Sequence, residues 1–207
     1  MAITINGTGS ITGLTAGGLP DGSVTAADIE TSLDLTGKTV TLPSGTGGKI
    51  LQVVVTKILN PFVESSSNNS WVDLSGFSRS ITTIGANSSF LIQTSLGIAK
   101  PTGNTVAFKI QRNNTDIELA TNNQGNRPKS HFRVTDYGIN NDHGQPAAHS
   151  FIDSPQVAAG TSLTYKLQGN HEGAGSIYIN RQISNSDNSN PAFAVTTSTI
   201  IVTEIAA

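Results

Sequence analysis

Side chains able to bind a cation gather in one stretch, where Asp136, Asn140, Asp142, His143 and His149 fall close together with His131 upstream. Such groups hold a metal when several are fixed rigidly at about 2.0 to 2.5 Å. No HxH or HExxH spacing orders them here. We read a polar loop, Tyr137 to Gln145, with His131 and His149 on its flanking strands, and assign no metal site; a cation near Asp142 stays open. The run SGTGGKI, Ser44 to Ile50, has the glycines of a phosphate loop without its spacing. With Lys49 as the lysine, the first glycine falls on Pro43 and the magnesium-binding hydroxyl on Ile50. It reads as a hinge.

Nucleophilic chemistry finds no better footing. The chain has no cysteine and no GxSxG elbow to single out a serine. Glu64, Glu118, Glu172 and Glu204 are scattered over separate elements, so no paired carboxylates of a glycosidase can be proposed. Trp71, Phe77, Phe90, Phe108, Phe132, Tyr137, Tyr165 and Tyr178 sit at strand-like positions and read as core rather than a sugar-stacking platform. The expectation is a protein that is not an enzyme, with no catalytic residues and no cofactor.

Composition narrows the partners. Charged residues make up 13% of the 207, with 12 basic against 14 acidic, about half the usual ~25%. Nucleic-acid binding needs clustered Lys and Arg to displace counterions, and a membrane-surface patch needs the same; neither is expected. The N-terminus shows no basic residue ahead of an apolar run, and the densest apolar segment, Ile50 to Val55, is strand-sized.

The elements that position these residues divide at about residue 48. Residues 1–48 lack aromatic side chains and are rich in Gly and Thr, too poor in apolar surface for a core of their own. Yet Ile3, Ile5, Ile11, Leu14, Leu19, Leu33, Leu35, Val40 and Leu42 recur in short β-like pieces. We expect an extended arm that orders by packing these residues on a partner. Thr25 and Asp28 have capping-box spacing, predicting two helical turns through Leu33.

Residues 49–207 alternate with period two. Val106, Phe108 and Ile110 lead to a turn at Asn113 and Asn114, and then come Ile117 and Leu119; Leu163, Tyr165 and Leu167 alternate similarly, as do Ile177 and Ile179. Further strands are predicted at residues 50–57, 71–74, 79–84, 89–98, 131–137, 149–153 and 196–205, with polar loops at 60–70, 120–129, 138–148 and 184–191. Roughly ten short strands with turn-rich joints predict an all-β, jelly-roll-like β-sandwich preceded by the arm. Ile200, Ile201 and Val202 are apolar on both faces of the last strand, so we assign them to a subunit interface.

The opening ITGLTAGGLPDGSVTAADIETSLDLTGKTVTLPSGTGGKILQVV resembles a segment of virion structural and tail-fibre proteins of tailed bacteriophages, cyanophages in particular. FIDSP at Phe151 to Pro155, TSLTYKLQ at Thr161 to Gln168, IYINR at Ile177 to Arg181 and STIIVTEI at Ser198 to Ile205 resemble the β-sandwich that follows it there. The resemblance implies a homotrimeric, non-enzymatic component of the virion, assembled in the bacterial cytoplasm. Residues 1–48 leave no room for a long shaft. The expectation is therefore a capsid decoration (cement or head-fibre) protein whose partner is the major capsid protein. The alternative is a short tail-fibre or receptor-binding adhesin contacting tail proteins or a host surface glycan.

Overall fold

The computed structural model describes residues 4–5, 11–12, 49–66, 69–99, 105–121, 125–135, 144–173, 175–184 and 186–207. The chain divides into two units, Met1–Gly47 and Gly48–Ala207. In the first, β1 (Thr4–Ile5) pairs antiparallel with β2 (Ile11–Thr12), setting Ile5 opposite Ile11. The helical turns predicted after Thr25 lie outside the described residues.

The second unit runs β3 (Ile50–Ile58), β4 (Phe62–Ser66), β5 (Val72–Thr82), β6 (Ser89–Ala99), β7 (Thr105–Arg112), β8 (Thr115–Asp116), β9 (Phe132–Thr135), β10 (Gln145–Asp153), β11 (Ser162–His171), β12 (Gly175–Ile179) and β13 (Ser198–Ile205). A 3-10 turn at Pro191–Phe193 interrupts the last connection. Alternation explains the long strands. Phe90, Ile92, Leu96 and Ile98 of β6 are buried, as are Leu163, Tyr165 and Leu167 of β11, because one side of each strand faces the other sheet. Asn113 and Asn114 take φ of 49° and 63° between β7 and β8, the left-handed pair that a tight two-residue hairpin demands and that asparagine tolerates.

Two antiparallel sheets result. In one, β6 carries β10 on one edge and β13 on the other, with β3 beyond β13; β12 and β4 continue past the end of β6. In the other, β7 lies between β11 and β9, β5 lies beyond β11, and β8 shares the β9 edge. Setting β4, β8 and β12 aside, the remaining strands of this unit lettered B to I in chain order give sheets B-I-D-G and C-H-E-F. That is the jelly-roll order, so the expected all-β jelly-roll sandwich is what the chain forms.

The core lies between the sheets, around Phe77, Phe90, Phe108 and Tyr165. Some predicted boundaries need correction. The loop expected at 60–70 contains β4, whose FVESS sequence has too few apolar residues to signal a strand. The separate strands expected at 71–74 and 79–84 are one strand, β5, whose pairing with β11 shifts register between Lys166 and Gln168. Gly76 takes φ 79° on the β5 side of that irregularity, the conformation glycine adopts without steric cost. The chain ends of the sandwich also meet, as Ala206 N donates to Lys49 O at 2.7 Å.

Candidate interaction face

The two outer faces of the sandwich differ in chemistry. On the β5–β11–β7 sheet, Lys166 Nζ pairs with Asp73 at 2.7 Å and Gln168 donates to the same carboxylate. Ser80 and Thr164 share a hydroxyl hydrogen bond. Lys109 meets Asp116 at 2.8 Å and lies 4.6 Å over the Trp71 ring. That face is polar and carries two ion pairs, with Arg133 of β9 exposed beside them.

The outer face of the other sheet is built differently. Cross-strand register aligns Val55, Ile201, Gln93 and Ser150 in one row, and Val53, Thr203, Leu91 and Ile152 in the next. Ile50 and Ile205 continue it. Val53 is 53% exposed and Ile152 56%, with no charge in either row; Lys57 stands at the margin, opposite Thr199. The exposed aliphatic side chains lie on the flanking strands β3 and β10, with Leu91 and Ile201 half-buried between them, the kind of apolar patch that suits contact with a partner.

Of the residues assigned to a subunit interface, Ile200 and Val202 are 0% exposed and belong to the core of a single chain. Only Ile201 points outward, because Ile200 to Val202 alternate across a strand that lies between two neighbours rather than at an edge. Among the arm residues, Ile5 and Ile11 are cross-strand partners; Ile3, Leu14, Leu19, Leu33, Leu35, Val40 and Leu42 lie outside the described residues.

Between the sheets, polar side chains lock this face in place. Asp153 of β10 receives Arg112 Nη1 at 2.6 Å and the Tyr165 hydroxyl at 2.6 Å, tying one sheet to the other. Burial, then hydrogen bonding to Asp153, holds the Tyr165 hydroxyl protonated well above its ordinary range. Glu204 of β13 is fully buried and accepts from Gln52 Nε2 at 2.6 Å, Ile84 N at 2.9 Å and Gly85 N at 2.9 Å. Burial opposes its ionisation, but the donors outweigh it and lower its pKa. The carboxylate thereby organises the turn between β5 and β6.

The histidines form an aromatic stack rather than a chelate. His131 and His149 have ring centroids 6.1 Å apart; Phe151 meets His131 edge-on at 4.6 Å, and Phe132 stacks on His149 at 4.8 Å. His131 Nδ1 accepts from Ile110 N at 3.0 Å. Burial, with the charge of His149 second, pushes His131 down to about 4. Among the described residues no group of three or more His, Asp or Glu can hold a metal; Asp136, Asn140, Asp142 and His143 lie outside them. The scattered glutamates serve the backbone instead: Glu64 accepts from Ser75 N and Glu172 from Thr105 N, both at 3.0 Å.

No family model and no curated protein matches the sequence. Among solved structures, the chain is similar to the VP2 subviral particle of infectious bursal disease virus, at 15% identity and TM-score 0.35, over 87% of this chain and 46% of that one. The same virus's Gt strain gives 15% and 0.34, over 87% and 45%. The enzymatically active domain of bacteriophage CBA120 tailspike protein 4 gives 11% and 0.24, over 61% and 18%. The chain thus spans less than half the length of these chains, and at such values the function must be argued from the geometry.

Proposed function

We propose that the chain is a structural component of a tailed-phage particle, a homotrimer decorating the capsid surface. Copies meet through the outer face of β3, β13, β6 and β10, and residues 1–48 lie on the major capsid protein. One observation carries this reading: an outer sheet face with no charge in its central rows, exposing Val53, Val55 and Ile152, opposite a face that carries the Lys109–Asp116 and Lys166–Asp73 ion pairs. A neutral face meets its own copy without like-charge repulsion, and burying apolar area stabilises by ~25 cal/mol per Å² before ordering costs. The phage-like opening sequence is the second support. Jelly rolls serve capsids, lectins and cupins alike, so the fold by itself does not choose.

The test has two readings. Purified chain is mixed with expanded, tail-less phage heads and sedimented; saturable co-sedimentation, with a trimeric mass by light scattering, is expected. Removing residues 2–45 should leave the trimer and abolish head binding. A monomer in solution overturns the trimer, and binding confined to tails or host cells overturns decoration in favour of the adhesin.

A further inference from the structure

Along Ser95 to Gly97 of β6, away from its Leu91 row, the connection from β12 to β13 borders a half-open cavity of about 370 Å³. This lies within the ~300–1,000 Å³ typical of small-molecule sites. Its lining carries one charged group, Arg181, together with the hydroxyls of Ser95, Thr196 and Thr197 and the amide of Gln145, while Pro146 and Pro191 supply apolar wall.

Behind the cavity, hydrogen bonds tie the connection to β6. Asn180, fully buried at φ 60°, donates through Nδ2 to Ile58 O at 2.8 Å and accepts the Ser198 hydroxyl at 2.6 Å. Its backbone N–H donates to Gly97 O, and its carbonyl accepts from Thr196 N. Gly97 N donates to Ser198 Oγ. A Cβ on Gly97 would fall 1.9 Å from Thr196 Oγ1, so only glycine permits this approach. The network pins the connection to β6 and fixes the residue that follows Asn180.

That residue is Arg181. Its guanidinium lies 5.6 Å over the Tyr178 ring. Nε donates to Gln182 O and Nη2 to Ile183 O, which leaves further N–H donors of the planar fork. It has no carboxylate partner among the described residues. An oriented guanidinium without a carboxylate among the described residues selects one from a ligand, and the neutral hydroxyl and amide lining matches a polyol.

We propose that this cavity binds a sugar ring bearing a carboxylate, as in a uronic or sialic acid. Arg181 engages the acid, and Ser95, Gln145, Thr196 and Thr197 engage ring hydroxyls. The inference stands apart from the decoration reading, because it uses neither the apolar rows nor residues 1–48.

The experiment titrates the full-length chain with glucuronate, galacturonate and N-acetylneuraminate, following backbone amides by NMR. Glucose, acetate and an acetylated dipeptide are run beside them. Expected are saturable shifts confined to residues 95–97, 144–146, 181–182 and 194–197 for at least one acidic sugar, with affinity at least about tenfold tighter than for glucose or acetate. Arg181→Gln should reduce that preference to near unity. No saturable shift with any acidic sugar overturns the proposal, as does acetate binding equally well or tighter binding of the dipeptide. Shifts unchanged in Arg181→Gln do so too. The wild-type series decides even where the variant fails to fold.

Discussion

Replacing Glu204 by glutamine tests whether a buried carboxylate holds the turn between β5 and β6. Both oxygens are in use: Oε1 accepts from Ile84 N and Gly85 N, and Oε2 from Gln52 Nε2 at 2.6 Å, with Ile84 N shared between them. Glutamine keeps one acceptor and turns an NH2 toward a donor. One buried N–H is then left unmade, at ~1–3 kcal/mol, and the surviving bonds lose their charge assistance, which roughly halves each. The sum is about 3 kcal/mol, or about 1.5 M in urea midpoint at a slope near 2 kcal/mol per M. The sign of the pH effect follows from the lowered pKa of Glu204. Its stabilisation is complete above the unfolded carboxylate's ordinary pKa near 4.5 and is lost as pH falls through the lower folded value. The gap between wild type and Glu204→Gln in urea melts should therefore be widest at pH 7 and narrow toward pH 3. Equal midpoints at pH 7, or a gap that does not shrink in acid, would refute the reasoning.

Ile201→Asp should reduce the mass seen by light scattering to that of one chain with little change in thermal midpoint, whereas Ile200→Asp, in the core, should leave no folded protein by circular dichroism. Retention of the trimer in folded Ile201→Asp would clear that face of a role. Tyr165→Phe removes the hydroxyl bonded to Asp153 and should cost about 1–2 kcal/mol in denaturant melts; a neutral result would show that the sheets are not tied there. His131, depressed to about 4, should lower stability as pH falls from about 6.5 toward 4, because the unfolded imidazole protonates first. Its ring resonances should titrate near the lower value, and an ordinary midpoint near 6.5 would contradict its burial. Gly97→Ala forces a contact with Thr196 and should cost about 2 kcal/mol, the scale of overpacking; an unchanged melt would show that the connection yields.

Much of the fold was legible because period-two burial is written locally. The β6, β7 and β11 runs and the paired asparagines could be read without any tertiary information. β4 was missed, since Phe62 and Val63 followed by Glu64, Ser65 and Ser66 give almost no alternation. The start of β10 was missed because Gln145, Pro146, Ala147 and Ala148 have weak strand preference, and pairing with β6 supplies what propensity lacks. Three consecutive apolar residues at Ile200 to Val202 signalled two apolar surroundings but not how to divide them. A strand flanked on both edges puts Ile200 and Val202 inward and Ile201 outward. The Asp153, Tyr165 and Arg112 cluster and the wall around Asn180 join residues far apart in sequence, and no local pattern announces such meetings. Glu204 was noticed only as an unpaired acid, because its donors are backbone groups that sequence does not display.

The hydrogen bond from Ala206 to Lys49 makes the sandwich nearly a closed loop of chain. A short glycine-serine bridge across that junction, with new termini opened at the exposed turn of Ala159 and Gly160, should give a circular permutant of residues 49–206 with the same sheets. Foreign peptides could then be presented from that turn, which lies against the β5–β6 turn at the same end of the sandwich as the seam, where Gly160 N donates to Thr83 O.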